Sequence, residues 1–558
     1  MKKLQMRRSK RSLMVLALVL SMMVAWSWSV QACTSICVTP GASIDGSAIV
    51  THANDCGNCS HEIYKVPAKD WPEGSMWEIV TLPQYTDGYQ RHEVAEKPTG
   101  NAIPQVAHTF GHIRGHFGYI NENQVAIGET TIGGRRDFRN SNGWLELVHL
   151  TMLAVERATS ARHAIQLMGE LAMEYGYADS GEMLAVADPN EVWVFEIVGP
   201  GPLWEQGCGE PGAYWIAQRV PDGHVAVSAN SSVIREVDFD DHENFMYGPG
   251  ILEFAIEMGW YDPASGEPFN WRKDFVSGLR DDYSAKRVWR VFTLVAPSLA
   301  DSLVESDLPF SVPVDEKISV ADVFAYHRDH YEGSKYDGST SLTAGPWNNP
   351  RRVEGYTFKV DDVTYEWHRA ISLTRCEHVC VGQVRGWLPN EVGGVLWYAG
   401  TAADTSCFIP FYVGGEYVSE IMNTKAGSRM EFTRDAYWWA TAAVMNHANL
   451  MWSYMIKDIN ERQQFYENRA FEMMVGVDAA ATALMQTNPE LARKFLADYA
   501  HQNAVEVRDA WWDLLDFLIW KYNSGRIIED GRIKTLGYPA EWLERVIQFD
   551  EPDHMVRP

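Results

Sequence analysis

The residue with the richest chemistry in this sequence is Cys33. It follows a basic head (Lys2, Lys3, Arg7, Arg8, Lys10, Arg11) and an apolar run from Leu13 to Ala25, the charge and hydrophobic layout of a secretory signal. Val30 and Ala32 stand where a signal peptidase reads, so cleavage leaves Cys33 first. A cysteine in that position carries a thiol and an α-amine, the latter with a pKa of roughly 7.7 to 8.0. The amine can take the thiol's proton without a histidine, the logic of an N-terminal threonine applied to the better nucleophile. Three other readings compete. Cys33 could be an ordinary disulfide cysteine. The leader could be a retained anchor, but its apolar core falls short of the roughly 20 residues a spanning helix needs. Val30-Gln31-Ala32-Cys33 also loosely resembles a lipoprotein box, which Gln31 fits poorly. An acylated amine could not act as a base, so that reading excludes catalysis at Cys33.

Other chemistry-bearing residues are weaker candidates. Cys56-Gly-Asn-Cys59 invites a redox or zinc reading, and ligand types alone would let Cys56, Cys59, His61, Cys376, His378 and Cys380 hold zinc. Export favours disulfides instead. With one of the eight cysteines reserved as nucleophile, seven remain and at least one more should be free; connectivity is open. His108, His112 and His116 recur every fourth residue, but Gly111, Gly115 and Gly118 argue against the helix that would align them.

The elements that must position these residues begin with strands. From Cys33 to about Ile132, alternating runs (35–38, 48–52, 124–129) are separated by turn signals at Pro40-Gly41 and Asp45-Gly46. Apolar residues at spacings of three and four between Asn142 and Tyr175 predict a helix pair broken near Thr159-Ser160. Strands follow over 183–186, 192–198 and 225–229, with Asp188-Pro189-Asn190 as a hairpin turn, then a helix around 284–295 and a turn-rich connector over 331–350. Strands return over 370–417. The tail from Arg429 to Ile547 is overwhelmingly helical in pattern, with Trp438, Trp439, Trp452, Trp511 and Trp512 on its apolar faces.

At 558 residues and 46% hydrophobic, the chain is globular with ample core. Its net charge is −26 although the leader holds six of the basic residues. A surface so acidic repels nucleic acid and anionic membranes.

Several segments, in order along the chain, carry a resemblance. Cys33-Thr-Ser-Ile-Cys-Val38, Ala42-Ser-Ile-Asp-Gly-Ser47 and Asn54-Asp55 resemble the opening of PepD-type dipeptidases. These are N-terminal-nucleophile cysteine hydrolases, distantly similar to penicillin V acylase, bile salt hydrolase and the secernins. Gln105-Val-Ala-His-Thr-Phe110, Asn121-Glu-Asn-Gln-Val-Ala-Ile-Gly-Glu-Thr-Thr-Ile-Gly-Gly134, Glu174-Tyr-Gly-Tyr-Ala-Asp-Ser-Gly-Glu182, Ala187-Asp-Pro-Asn-Glu-Val-Trp193 and Gly537-Tyr-Pro-Ala-Glu-Trp-Leu-Glu544 extend it over essentially the whole mature chain.

The resemblance implies roles. Asp55 takes the place of the aspartate that holds the nucleophile's α-amine. Asn230, in Val227-Ser-Ala-Asn-Ser231, takes that of a side-chain amide facing the oxyanion. Thr130, in the loop Gly128-Glu-Thr-Thr131, is the candidate for a second donor, and Arg287 aligns with an arginine near the nucleophile. His52 stands where the acylases have an arginine, and can be neutral at pH 7.

The expectation is therefore an α+β protein: a signal peptide (1–32), a four-layer αββα sandwich of the N-terminal-nucleophile hydrolase type (33–420) and a helical C-terminal region packed on it (421–558). It acts outside the cytoplasm, in periplasm or medium, as a dipeptidase working through a thioester on Cys33. This cycle requires no metal or organic cofactor and no nucleic-acid or membrane partner after signal removal; a homo-oligomer is left open. The alternatives are an amidase or acylase of N-acyl small molecules, and a lipid-anchored, non-catalytic binding protein.

Overall fold

The computed structural model describes residues 33–57, 59–81, 97–179, 181–276, 281–352, 357–423, 426 and 431–549. The leader and its cleavage site lie outside them. No helix among the described residues is long and apolar enough to cross a membrane.

Two large sheets carry the protein. The first has seven strands, in spatial order Ser311–Pro313, His224–Ser228, Ser35–Val38, Ala48–Asn54, His378–Val384, Gly394–Gly400 and Ile409–Tyr412. The second has eight: Phe245–Tyr247, Tyr214–Arg219, Val192–Val198, Glu182–Ala187, Ala126–Thr131, Gly118–Asn121, His112–Arg114 and Tyr64–Val66. Every neighbouring pair in both is antiparallel. The Cys33 end of the chain thus enters a central strand, flanked by Ala48–Asn54 and His224–Ser228.

That strand is buried on both faces, which the side-chain alternation of a strand explains. Ile36 and Val38 join an apolar cluster with Ala285, Val288, Val291 and Phe292 of the Asp281–Val295 helix, whereas Cys37 joins the other core, shared with the second sheet. The helices Leu147–Arg157 and Ala161–Tyr175 pack on the second sheet. Their break at Ala158 to Ser160 is the expected one. Ser160 accepts from the His163 N–H as N-cap, and Asp188 Oδ2 receives the Ala161 N–H, so the Asp188 hairpin turn also secures the second helix.

The sheets meet at Gly128. A Cβ there would lie 2.1 Å from the carbonyl oxygen of Thr51 on the first sheet, a separation only glycine permits. The alternating run over 124–129 is a strand as expected, and it continues through the 128–131 segment, expected as a loop, to form Ala126–Thr131, pinned along its length to Glu182–Ala187.

In the tail, Tyr437–Ala448, Trp452–Thr487 and Pro489–Lys521 are helices. The last starts where Asn488 caps Leu491 N–H and Pro489 fills the first turn. It packs along the edge strand Ile409–Tyr412, and Trp511 Nε1 donates to Thr405 O at 2.9 Å. The tail is not wholly helical: Tyr522–Asn523, Arg526–Glu529 and Arg532–Thr535 form a three-stranded sheet. The protein is thus a mixed α and β structure, with two antiparallel sheets, covering helices and a largely helical C-terminal region.

Candidate active site

Cys33 sits where the two sheets meet and is 1% exposed. Thr34 bridges to Ala53, which sets Cys33 beside the end of the Ala48–Asn54 strand, and the Asp55 backbone N–H donates to the Cys33 sulfur. From the second sheet comes Glu129, whose carboxylate hydrogen-bonds the Cys33 thiol. Cys33 Sγ, a ring nitrogen of His52 and a carboxylate oxygen of Glu129 all lie within 4.8 Å of one another. Burial, and then the Glu129 and Asp55 carboxylates, push the Cys33 thiol well above its usual range, so it is protonated at neutral pH.

Arg287 holds the Cys33 backbone. It is a wholly buried helix residue, not a surface one. Its Nη1 donates to the Cys33 carbonyl at 2.6 Å and to Thr34 Oγ1 at 2.9 Å, and Nη2 to Ala229 O at 2.8 Å and Asn230 Oδ1 at 2.9 Å. These contacts are to carbonyl and hydroxyl oxygens, so they fix positions and none of them runs to the thiol. Burial, helped by Arg369, lowers its pKa to about 9.

Asn230 is brought to the same place at a left-handed φ of 64° just past the His224–Ser228 strand. A non-glycine residue adopts that conformation only where its surroundings repay it. Here its N–H donates to Thr130 Oγ1 at 3.1 Å, its Nδ2 to Thr131 O at 2.9 Å and Thr130 Oγ1 at 3.3 Å, and its carbonyl accepts from Ser284 Oγ. The Thr130 hydroxyl accepts both Asn230 bonds and keeps its own hydrogen to donate.

Asp55 is 1% exposed. Its Oδ2 pairs with Arg369 Nη2 at 2.5 Å, while Oδ1 receives no hydrogen bond. Burial raises its pKa, opposed first by Arg369. His52 is likewise buried, and burial holds it down to about 4, hence neutral at pH 7. Its Nδ1 lies 3.0 Å from Glu129 O, a bond between the sheets in which Nδ1 donates.

All five anticipated residues (Cys33, Asp55, Asn230, Thr130, Arg287) therefore converge on one locus, through direct bonds or shared partners. Glu129, though it lies inside the quoted segment, Glu182 and Arg369 are not among the anticipated residues, and Cys376 was considered only as a zinc ligand or disulfide partner. Glu129 and Glu182 are hydrogen-bonded across adjacent strands; burial raises both, Glu129 to about 7 and Glu182 well above the carboxylate range. The Cys376 thiol bonds to the Asp55 carboxylate. A contact between partners as distant as Asp55 and Arg369 leaves no local pattern to read. Of the zinc set, Cys56 and Cys59 are joined by a disulfide. Cys33, Cys37, Cys208, Cys376, Cys380 and Cys407 are free thiols. His108 and His112 lie on separate short strands.

Comparison with known proteins gives this locus its context. A probable dipeptidase of Latilactobacillus sakei is 28% identical over 503 residues, covering 88% of this chain and 95% of the relative. A probable dipeptidase of Salmonella dublin is 28% identical over 69% of this chain and 82% of its own length. Dipeptidase A of Lactobacillus helveticus is 26% identical over 70% and 77%. The profile of peptidase family C69 matches residues 32–465, a span that begins one residue before Cys33 and takes in every residue of the site, and the chain belongs to that family.

Proposed function

We propose that this protein is an exported dipeptidase that hydrolyses its substrate through a thioester on Cys33, exposed as the N-terminus by removal of residues 1–32. The observation that carries the reading is the convergence of Cys33, Asp55, Thr130, Asn230 and Arg287 on one buried locus between the sheets. The dipeptidase names of relatives aligned over most of their length support the substrate class. The two facing sheets with helices outside them are consistent with the four-layer sandwich of N-terminal-nucleophile hydrolases. The basic head and short apolar core of the leader support periplasm or medium as the place of action.

Chemically, the protonated Cys33 thiol needs a base, and the α-amine released by processing lies on the same residue. Asp55 Oδ1, buried without a hydrogen-bond donor, suits the ammonium that forms as the amine takes the thiol's proton. Attack of Sγ on the scissile carbonyl carbon gives a tetrahedral oxyanion. The Thr130 hydroxyl and Asn230 Nδ2 are its donors, the latter by releasing its 3.3 Å bond to Thr130. Collapse breaks the C–N bond as the ammonium returns its proton to the leaving amine, and water then hydrolyses the thioester. Arg287 fixes the Cys33 carbonyl and the Asn230 amide relative to each other throughout.

The test is turnover of a panel of dipeptides by protein starting at Cys33, beside a Cys33→Ser variant. Release of both amino acids by the first and its loss in the second is expected. Full activity in Cys33→Ser would refute the mechanism.

A further inference from the structure

Glu129 presents a problem the hydrolytic cycle leaves unsolved. It is 2% exposed, hydrogen-bonded to the Cys33 thiol and next to Glu182, also 2% exposed. Asp179 adds a third carboxylate whose field both feel. Burying carboxylates together is costly unless a cation joins them. Among the described residues, the one ion-pair partner of Glu129 is His52, 3.2 Å from Oε2. Burial keeps that ring neutral, and its Nδ1 is directed to the Glu129 carbonyl oxygen. Glu129 Oε2 consequently receives no hydrogen bond although it is fully enclosed. An acceptor without a donor, one contact from the attacking sulfur, is a place for a cationic group that arrives with the substrate.

In an unblocked dipeptide the α-amine is bonded to the carbon that bears the scissile carbonyl. When Cys33 Sγ reaches that carbonyl, the ammonium must lie within a few ångströms of the sulfur. We propose that Glu129, backed by Glu182 and Asp179, receives the substrate's free α-ammonium and so restricts the site to peptides with an unblocked N-terminus. An N-acyl substrate would bring a neutral amide to the same place, leave the carboxylates uncompensated and add bulk. This inference rests on Cys33 being the attacking residue and decides between a dipeptidase and an N-acyl amidase. Burial raises the Glu129 pKa to about 7, and an ammonium placed beside the carboxyl would favour its charged form.

The experiment compares a dipeptide with its desamino analogue, identical except for the missing α-amine, in wild type, Glu129→Gln and Glu129→Asp. Wild type is expected to prefer the amine-bearing substrate in kcat/KM. Glu129→Gln should lose about tenfold to a hundredfold of that preference, the range for a buried charge-assisted hydrogen bond, and Glu129→Asp should recover part of it. Cys33 alkylation by neutral iodoacetamide should be no slower in Glu129→Gln, because removing a carboxylate beside the thiol eases its ionisation. An unchanged preference in Glu129→Gln, or alkylation slowed in step with turnover, overturns the assignment and makes Glu129 part of thiol activation. A wild type that hydrolyses no dipeptide is a different result, and refutes the dipeptidase reading beneath it.

Discussion

Arg287 donates from Nη1 to the carbonyl oxygen of Cys33 at 2.6 Å, across 254 residues of sequence. Cys33 is thereby held by its backbone, while the other guanidinium nitrogen reaches Asn230 Oδ1. Replacing Arg287 with alanine leaves four buried oxygens without their donor. A loss of about 3 kcal/mol or more is expected. Urea denaturation of Arg287→Ala checks it, with Arg287→Lys falling between the two because lysine keeps a charge but not the fork.

Gly128→Ala tests the contact between the sheets. The added methyl would overlap Thr51 O, so the strand bearing Glu129 and Thr130 must move away from the one leading to Asp55. Destabilisation of about 1–3 kcal/mol is expected from such overpacking, and kcat should fall further than stability alone explains. Thermal melting and steady-state kinetics on the same preparation separate the two.

His327 predicts a pH dependence of stability. It is buried, its Nε2 lies 2.9 Å from Thr51 Oγ1, and burial lowers its pKa to about 3. The unfolded chain binds a proton near pH 6.5 while the folded one does not, so its neutral form stabilises the fold fully above pH 6.5. That contribution drains as pH falls toward 3, at up to roughly 1.4 kcal/mol per pH unit. The stability gap between wild type and His327→Gln should therefore shrink on acidification through this window. Melting both proteins from pH 7 to pH 4 measures it.

Activity should survive chelators, because the proposed cycle routes no step through a metal. Added Zn2+ should inhibit, since Cys33, His52 and Glu129 offer thiolate, imidazole and carboxylate donors within 4.8 Å. Assays with EDTA, with Zn2+, and with Zn2+ followed by EDTA check both halves; inhibition that EDTA reverses is expected.

Local signals were legible and cross-chain ones were not. The helix pair over 147–175 followed from apolar spacing and Ser160, and the hairpin at Asp188 from its turn residues. The small sheet after Lys521 had readable turns at Ser524-Gly525 and Asp530-Gly531, all at positive φ. Its strands of two to four residues are too short to break the helical impression of the tail. The 128–131 segment was expected as a loop from the resemblance although the alternating run 124–129 reads as a strand, and Gly128 serves a close approach to Thr51. Within the site, Cys33 stood out by position and Asp55, Asn230, Thr130 and Arg287 by resemblance. Arg369 pairs with Asp55 from 314 residues away, and Glu129 meets Glu182 only through strand pairing. Neither meeting has a signature in one dimension.

Cys33 as a processed, attacking N-terminus is tested most directly by peptide mass mapping of the active protein before and after inactivation with iodoacetamide. The expected result is an N-terminal peptide that starts at an unblocked Cys33 and gains one carbamidomethyl group on that thiol as activity disappears. A peptide starting elsewhere, an acylated Cys33, or inactivation that leaves Cys33 unlabelled would contradict it.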